Sequence, residues 1–227
     1  MCRNNPVNRI DPDGRADRRL APGETPGPEH RGSSVGTTSV SVKRTGNTSR
    51  IVAQKNEHYG EVEKSPSKVS LDVSGEMRGD SKLLADVQVN VKADFGDVTT
   101  TVDSYDAVAG GFGNGAPENG EYTVDNYRAR GKTGSESGFN KDGVSFTYDL
   151  NPEFDTGRTL LRIHPDGNKE GTLGCIGLSG NAATLTNFKN LLNGVLKGQI
   201  SIPTTISITN NPNNDGRSNK KLPRVNE

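Results

Sequence analysis

The sequence predicts a mostly β fold with one main helix, flanked by disordered tails. Apolar residues make up 29% of the chain and aromatic residues 5%, while 28 glycines and 12 prolines are spread along it. A chain this polar cannot bury a core over its full length, so we expect one compact domain and unpacked segments. The many glycines and prolines favour turns and short strands over long helices.

Short runs of alternating apolar and polar residues predict the strands, because alternation is the pattern of a half-buried strand. Val87, Val89 and Val91 are the clearest example. The last run predicts either a closing strand pair or one bent strand. In chain order the predicted strands are 38–44, 49–54, 68–75, 83–95, 98–108, 121–127, 143–150, 158–164 and 200–208.

One segment, residues 181–196, has the pattern of a helix. Its apolar residues recur at helical spacing and form a stripe that includes Leu185 and Phe188. Either Asn181 or Thr184 could cap its first turn, since short polar side chains accept hydrogen bonds from free amides there.

Composition divides the chain further. Residues 15–36 are rich in proline, glycine and charge, which predicts a flexible linker. Residues 37–107 are a β-rich N-terminal part, partly disordered or a small hairpin up to residue 70. They could be a second small domain, part of the catalytic sheet or a docking site. Residues 108–208 hold the candidate site, and residues 209–227 predict a disordered tail.

The charge distribution argues against nucleic acid as a partner. Lysines and arginines balance aspartates and glutamates over the whole chain, but residues 71–214 carry 12 against 18, a net charge of −6. A nucleic-acid surface would be basic. No apolar run approaches the roughly 20 residues needed to span a bilayer, so we expect no stable membrane insertion.

The most informative stretch is residues 162–180, "RIHPDGNKEGTLGCIGLSG". It places His164 eleven positions before Cys175. Strand alternation puts Arg162 and His164 on one face and the apolar Ile163 on the other. The Pro-Asp-Gly turn and the polar loop after it can return Cys175 to within reach of His164.

A cysteine and a histidine brought together can catalyse acyl transfer. The thiolate is the nucleophile, and a neighbouring imidazole takes its proton and stabilises the thiolate as an ion pair. Backbone amides in a glycine-flanked turn can bind the developing oxyanion. Gly174 would let backbone and substrate approach Cys175 closely, and Thr172 could hold the turn by local hydrogen bonds.

Other interpretations of the pair remain open. A cysteine followed by Ile-Gly-Leu is often a buried small hydrophobe, and a histidine at a strand end is often a surface residue. A structural zinc site needs four ligands, so Cys175 and His164 would require help from two carboxylates. We expect neither a metal nor a cofactor.

The N-terminal string "NNPVNRIDPDGR" is rich in turn formers. It resembles the end of the conserved core of RHS-repeat proteins, which closes with Asp-Pro-x-Gly, here Asp11, Pro12 and Gly14. Arg15 stands where that family commonly has leucine. The resemblance assigns residues 1–14 to the end of a β-rich RHS core, which a variable C-terminal module follows, very often a toxin. It implies an RHS shell, secretion machinery and a cognate immunity protein as partners.

The string "GTLGCIGL" resembles the catalytic signature of L,D-transpeptidase (YkuD-type) domains, an upstream histidine followed by Ser/Thr-His-Gly-Cys-Ile-Arg. Here His164 matches the upstream histidine and Thr172 matches the Ser/Thr. Gly174, Cys175 and Ile176 match Gly-Cys-Ile. The resemblance implies that Cys175 is the nucleophile, that His164 is the base, and that Gly174 belongs to the catalytic turn.

Two positions depart from that signature. Leu173 replaces the second histidine and Gly177 replaces the arginine, and the His–Cys spacing is shorter than in most of the family. A divergent branch, toxins delivered between competing bacteria, has a similarly short spacing and lacks the second histidine. The resemblance covers roughly residues 108–208 and implies an L,D-transpeptidase-like β-sandwich or barrel.

Three neighbours of the pair are candidates for further roles. Because Gly177 replaces the arginine, Arg162 could bind substrate carboxylates by a bidentate contact, or be a plain surface arginine. Thr172 is the second substrate-binding candidate. Asp166 could orient His164, or it could only shape the Pro-Asp-Gly turn.

Together the two resemblances imply an antibacterial toxin that is secreted or delivered by a secretion system and acts in the target cell's periplasm. Its substrates would be the stem peptides of peptidoglycan. Acyl transfer through Cys175 would give L,D-carboxypeptidase activity, transpeptidation or D-amino-acid exchange. The alternatives are a cysteine peptidase or deamidase that acts on proteins, and a non-enzymatic module that binds the cell wall.

Overall fold

The computed structural model is that of a mostly β protein with one main helix, as the sequence predicts. The predictions for residues 1–14 and 15–36, and for the tail beyond residue 214, lie outside the described residues. The structure describes residues 38–46, 48–57, 60–80, 83–131, 133–167 and 169–214.

A small antiparallel sheet forms where the sequence left hairpin and disorder open. Its strands are β1 (Thr38–Thr45), β2 (Thr48–Glu57) and β3 (Gly60–Lys64), with β2 in the middle. Ile51 and Ala53 of β2 are buried and belong to the main hydrophobic core.

Nine more strands follow in the described part of the chain and form the main sheet. They are β4 (Lys68–Met77), β5 (Leu84–Asp94), β6 (Thr99–Gly110), β7 (Gly120–Ala129), β8 (Asn140–Lys141), β9 (Val144–Pro152), β10 (Arg162–Pro165), β11 (Ile176–Leu178) and β12 (Ile202–Thr209).

Eight of these strands close into a β-barrel. The order is β10-β11-β6-β5-β4-β12-β7-β9, and β9 pairs back with β10, while β8 extends β9 on the outside of this circuit. Two neighbouring pairs, β10–β11 and β4–β12, are parallel, and the other pairs are antiparallel. Closure leaves none of the eight strands with an unpaired edge.

Side chains that alternate along each strand fill the interior of the barrel. Val89 of β5 lies opposite Val73 of β4 and Tyr105 of β6, and all three are buried. Each such apolar side chain stabilises the fold by about 1.5–3 kcal/mol relative to an exposed position. The alternating valines of the sequence are therefore the inner face of the barrel wall.

Helix α1 (Ala182–Val195) packs its apolar stripe on this core. Asn181 is the cap, because its side-chain oxygen accepts a hydrogen bond from the Thr184 amide at 3.0 Å. Phe188 meets the ring of Tyr105 edge-on, with ring centres 4.9 Å apart. No helix in the described ranges is both long and apolar enough to cross a membrane.

The boundary predicted between residues 107 and 108, where the resemblance to L,D-transpeptidase domains begins, lies inside β6. Strands β4 to β6 belong to the same closed sheet as β10 and β11. Residues 68–107 therefore contribute to the same sheet as the strands that carry the candidate site.

The start and end of two predicted segments differ in the structure. The strand expected at 158–164 begins only at Arg162, because Leu160 has a φ of 61°, a left-handed conformation that a strand cannot contain. The closing segment is a single strand, β12. Residues 210–214 fall in the predicted tail, yet Asn211 fixes them to the fold by donating to the Pro117 carbonyl at 2.7 Å.

Candidate active site

Two short parallel strands bring the predicted pair together. Ile163 of β10 lies opposite Ile176 of β11, so Arg162 lies beside Cys175, the residue that precedes β11. The Arg162 amide donates to the Cys175 thiol. Ile163 points into the core and His164 to the other face, as strand alternation predicts. Both His164 and Cys175 line one cavity of about 450 Å³.

The wall of this cavity is mostly apolar. Phe112 and Phe139 contribute from two separate loops, and Leu161 contributes from the approach to β10. Leu160 and Leu173 stand at its mouth with 75% and 76% of their surface exposed. Leu173, which occupies the position of the family's second histidine, therefore gives the cavity an apolar rim.

His164 is buried, and one of its nitrogens is committed. Its Nδ1 lies 2.7 Å from the Pro165 carbonyl oxygen, which can only accept, so Nδ1 carries the proton and Nε2 is left as the basic nitrogen. Burial lowers the pKa of His164 to about 4, against the raising effect of the Pro165 carbonyl, and the nearby cations Arg162 and Arg130 lower it further. The imidazole is therefore neutral at neutral pH.

Cys175 is a partly exposed free thiol. Burial raises its pKa, although the Arg162 amide and the charges of Arg162 and Arg158 oppose that rise. The directions of both pKa shifts favour a neutral thiol and a neutral imidazole in the resting protein over the expected thiolate–imidazolium ion pair, because burial disfavours both charges.

Thr172 holds the turn before Cys175. Its hydroxyl donates to the Cys175 carbonyl at 2.7 Å and accepts from the Gly174 amide at 3.3 Å. Gly174 has a φ of 115°, which a residue with a Cβ rarely adopts. The buried Thr172 hydroxyl is thus committed to the turn, although the residue forms part of the cavity wall where the resemblance suggests substrate binding.

Asp166 shapes the loop between the two strands. Its Oδ1 and Oδ2 accept from the Gly171 amide at 3.2 and 3.4 Å, and burial raises its pKa to about 6. The Nδ1 of His164 binds the Pro165 carbonyl, not the Asp166 carboxylate. Of the two roles left open, the geometry supports the one in the turn.

Close packing explains why position 177 is a glycine. A Cβ on Gly177 would lie 2.9 Å from the Cγ2 of Thr172 and 3.1 Å from the Cβ of Asp166. The arginine of the family signature would not fit here without moving both residues. The polar loop packs on β11 at this point. This close packing explains why a glycine stands where the signature has an arginine.

Arg162 is a cation on the wall of the cavity. Its guanidinium carbon lies 5.8 Å from the centre of the Phe139 ring, and its Nε lies 3.9 Å from Oδ1 of Asp149. That Nε is buried and has no hydrogen-bond partner among the described residues. The side chain is partly exposed, so it can meet an anionic group inside the cavity.

Two residues of the site carry no signal in the sequence. Phe139 packs its ring on His164, and Arg158 ties down the glycine-rich loop before β7 by donating to the carbonyls of Ala116 at 2.8 Å and Gly115 at 3.2 Å. Arg158 also lies where a Cβ on Gly174 would approach it at 3.4 Å. A single phenylalanine or arginine in a polar loop has no periodicity to mark it.

The comparisons with known proteins identify no relative. No family model matches the chain, and neither a curated protein nor a solved structure is significantly similar to it. Within the described residues, no three His, Cys, Asp or Glu side chains lie close enough to hold a metal ion.

Proposed function

We propose that this protein is an antibacterial toxin that processes the stem peptides of peptidoglycan by cysteine-dependent acyl transfer. The observation that carries the proposal is the joint placement of Cys175 and His164 in one cavity by two parallel strands. The resemblance of residues 172–176 to the L,D-transpeptidase signature supplies the substrate class. The RHS-like N-terminus supplies delivery through an RHS shell and secretion machinery into a target periplasm, and a cognate immunity protein as partner.

The neutral resting pair indicates how the reaction would start. As the Cys175 sulfur attacks the peptide carbonyl, Nε2 of His164 takes the thiol proton, so charge separates only when substrate has filled the cavity. The Gly174 amide is held by Thr172, and we therefore assign the amide of Cys175 itself to the oxyanion.

Collapse of the tetrahedral intermediate breaks the peptide bond. The departing amine takes the proton back from His164, and a thioester between Cys175 and the stem peptide remains. Water then gives a carboxypeptidase product, whereas a D-amino acid or the amine of another stem gives exchange or cross-linking. Arg162, whose partly exposed side chain lines the cavity, would bind a carboxylate of the stem.

The test is liquid chromatography and intact-mass analysis of purified muropeptides after incubation with the wild-type protein and with Cys175→Ala. We expect loss of the terminal D-alanine, or its replacement by another D-amino acid, with the wild type alone. Val98→Ala, at an exposed position that does not line the cavity, is the control and should process muropeptides normally. Processing by Cys175→Ala, or no processing by the wild type, would overturn the proposal.

The apolar mouth of the cavity favours one second candidate, a cysteine peptidase or deamidase that acts on proteins. Leu160 and Leu173 line the cavity and offer exposed apolar surface, which suits an apolar stretch of protein. Cys175-dependent cleavage or deamidation of casein, with muropeptides left intact, would select this candidate. Inertness toward both substrates would leave a non-enzymatic module that binds the cell wall.

A further inference from the structure

Phe139 lies at the centre of a stack that ends on His164. The two rings meet edge to face at 85°, with their centres 4.9 Å apart. The guanidinium carbons of Arg130 and Arg162 lie 5.4 and 5.8 Å from the centre of the Phe139 ring. Cations favour the electron-rich face of an aromatic ring, so both arginines hold Phe139 in place.

The chain around Phe139 is fixed independently of the stack. The residue ends a 3-10 turn, Gly134–Phe139, and the turn presses on the loop after β10: a Cβ on Gly167 would lie only 2.5 Å from the Gly138 carbonyl oxygen. Arg130 is held from its other side, since it donates to Thr147 at 3.0 Å and to a glutamate of the turn at 3.1 Å.

Burial has a larger effect on the pKa of His164 than the charged groups around it. Both arginines of the stack disfavour the imidazolium form, and each has a carboxylate partner that reduces its effect. The groups that reach the imidazole or its neighbours are Arg162 on β10, Asp149 on β9, Arg130 after β7, Glu136 in the 3-10 turn, Cys175 before β11, Asp166 after β10 and Lys141 on β8.

We propose that Phe139 is a positioning residue for the base: its ring, contacted by the guanidinium groups of Arg130 and Arg162, fixes the His164 imidazole and keeps water away from it. This inference rests on the proposed function in treating His164 as the base. The Pro165 carbonyl holds Nδ1 on one side of the imidazole, and Phe139 covers the ring, so that Nε2 is left for the thiol proton.

The exclusion of water from His164 by Phe139 has a chemical consequence. A solvated histidine is half protonated near pH 6.5, and the protonated form cannot accept a proton from a thiol. A histidine kept dry remains a neutral base in more acidic surroundings. Phe139 would therefore extend the pH range in which the enzyme is active toward low pH. Removal of Phe139 would abolish activity in that added part of the range.

The experiment is a pH titration of the histidine ring signals by ¹³C–¹H NMR, with His164 assigned by their loss in His164→Gln. In the wild type we expect His164 to titrate near pH 4. In Phe139→Leu, water reaches the ring, and the midpoint should rise by about one pH unit or more. Phe139→Tyr keeps the ring and should restore the wild-type value.

The matched control is Phe112→Leu. Phe112 lines the same cavity and also has a cation over its ring, the Nζ of Lys169 at 5.2 Å, but its amide binds the Thr172 carbonyl on the glycine-rich side. Its loss should leave the titration of His164 unchanged. Arg130→Gln, which removes one cation from the stack, should raise the midpoint by less than Phe139→Leu does.

Titration of wild-type His164 near pH 6.5 would overturn the inference, as would a folded Phe139→Leu that titrates like the wild type. If Phe139→Leu fails to fold, Phe139→Met decides: a raised midpoint supports the positioning of His164 by the aromatic ring, and an unchanged one overturns it. The titration uses no substrate. A failed muropeptide assay would therefore refute the proposed function and leave the positioning of His164 to be judged by NMR alone.

Discussion

The two sides of the barrel are built in different ways. Strands β4, β5 and β6 have 10, 11 and 12 residues, and their ladders run with one irregularity, between Val91 and Lys92. Strands β10 and β11 have only 4 and 3 residues. On the long side, alternating apolar side chains suffice. On the short side, hydrogen bonds of buried polar side chains such as Thr172 and Asp166 hold much of the chain in place.

The difference shows where a barrel can hold chemistry. A continuous ladder satisfies its own backbone and leaves no polar group to spare. Where strands are short, loops must be tied by side chains, and those side chains create a polar, partly dry environment. Cys175 and His164 lie in that environment, and the long wall supplies the rigid support behind it.

The largest effect on stability is expected from the long wall. Leu71 is buried in β4, and Leu71→Ala should lower the free energy of unfolding by about 2–5 kcal/mol through lost contacts and a cavity. Thermal unfolding measures the loss. Cys175-dependent processing below the melting temperature should be unchanged, because Leu71 does not line the cavity. Reduced processing with unchanged stability would show that the wall shapes the site directly.

A smaller effect is expected where the loop packs on β11. Gly177→Ala should cost about 1–3 kcal/mol by overpacking, since its Cβ would lie 2.9 Å from Thr172. It should also slow processing, because Thr172 holds the turn that carries Cys175. Gly157→Ala is the control, since a Cβ there meets nothing within 4 Å. Equal melting temperatures for the two variants would contradict the steric account of Gly177.

The smallest effect concerns pH. The folded-state pKa of His164, about 4, lies below its ordinary value, so its contribution to stability grows as pH rises from about 4 to 6.5. The folded-state pKa of Asp166, about 6, lies above its ordinary value, so its contribution falls as pH rises from about 4 to 6. The two slopes oppose each other, and the wild type should show a shallow dependence.

Single variants separate these two slopes. In Asp166→Asn the histidine remains, and the free energy of unfolding should rise between pH 4 and 6.5. In His164→Gln the carboxylate of Asp166 remains, and the free energy of unfolding should fall between pH 4 and 6. Urea unfolding at a series of pH values provides the measurement, and parallel curves for the two variants would contradict the opposed burial effects.

The sequence predicted the local elements better than their assembly. The alternation around Val89 and the stripe of Phe188 gave the strands and the helix, because burial imposes a period on each. Closure of the barrel was not readable, since it depends on a parallel pairing of Leu71 with Thr204 across most of the chain. Local patterns carry no information about which distant strand lies next to which.

The candidate site divides in the same way. Cys175 and His164 could be proposed from residue type and spacing, and the structure places both in one cavity. Phe139 and Arg158 could not, since neither belongs to a motif and only the folded loops bring them to the site. The protonation state of the pair also escaped prediction, because it depends on how much water the fold leaves around the two groups.

The place of β12 in the barrel has a consequence for the timing of folding. This strand lies between β4 and β7; it is parallel to β4 and antiparallel to β7. Until residues 202–209 have left the ribosome, β4 and β7 have no partner along those edges and the circuit stays open. A shorter nascent chain holds both Cys175 and His164 but not the closed wall behind them. The closed wall behind the two residues therefore forms only once residues 202–209 can pair with both β4 and β7.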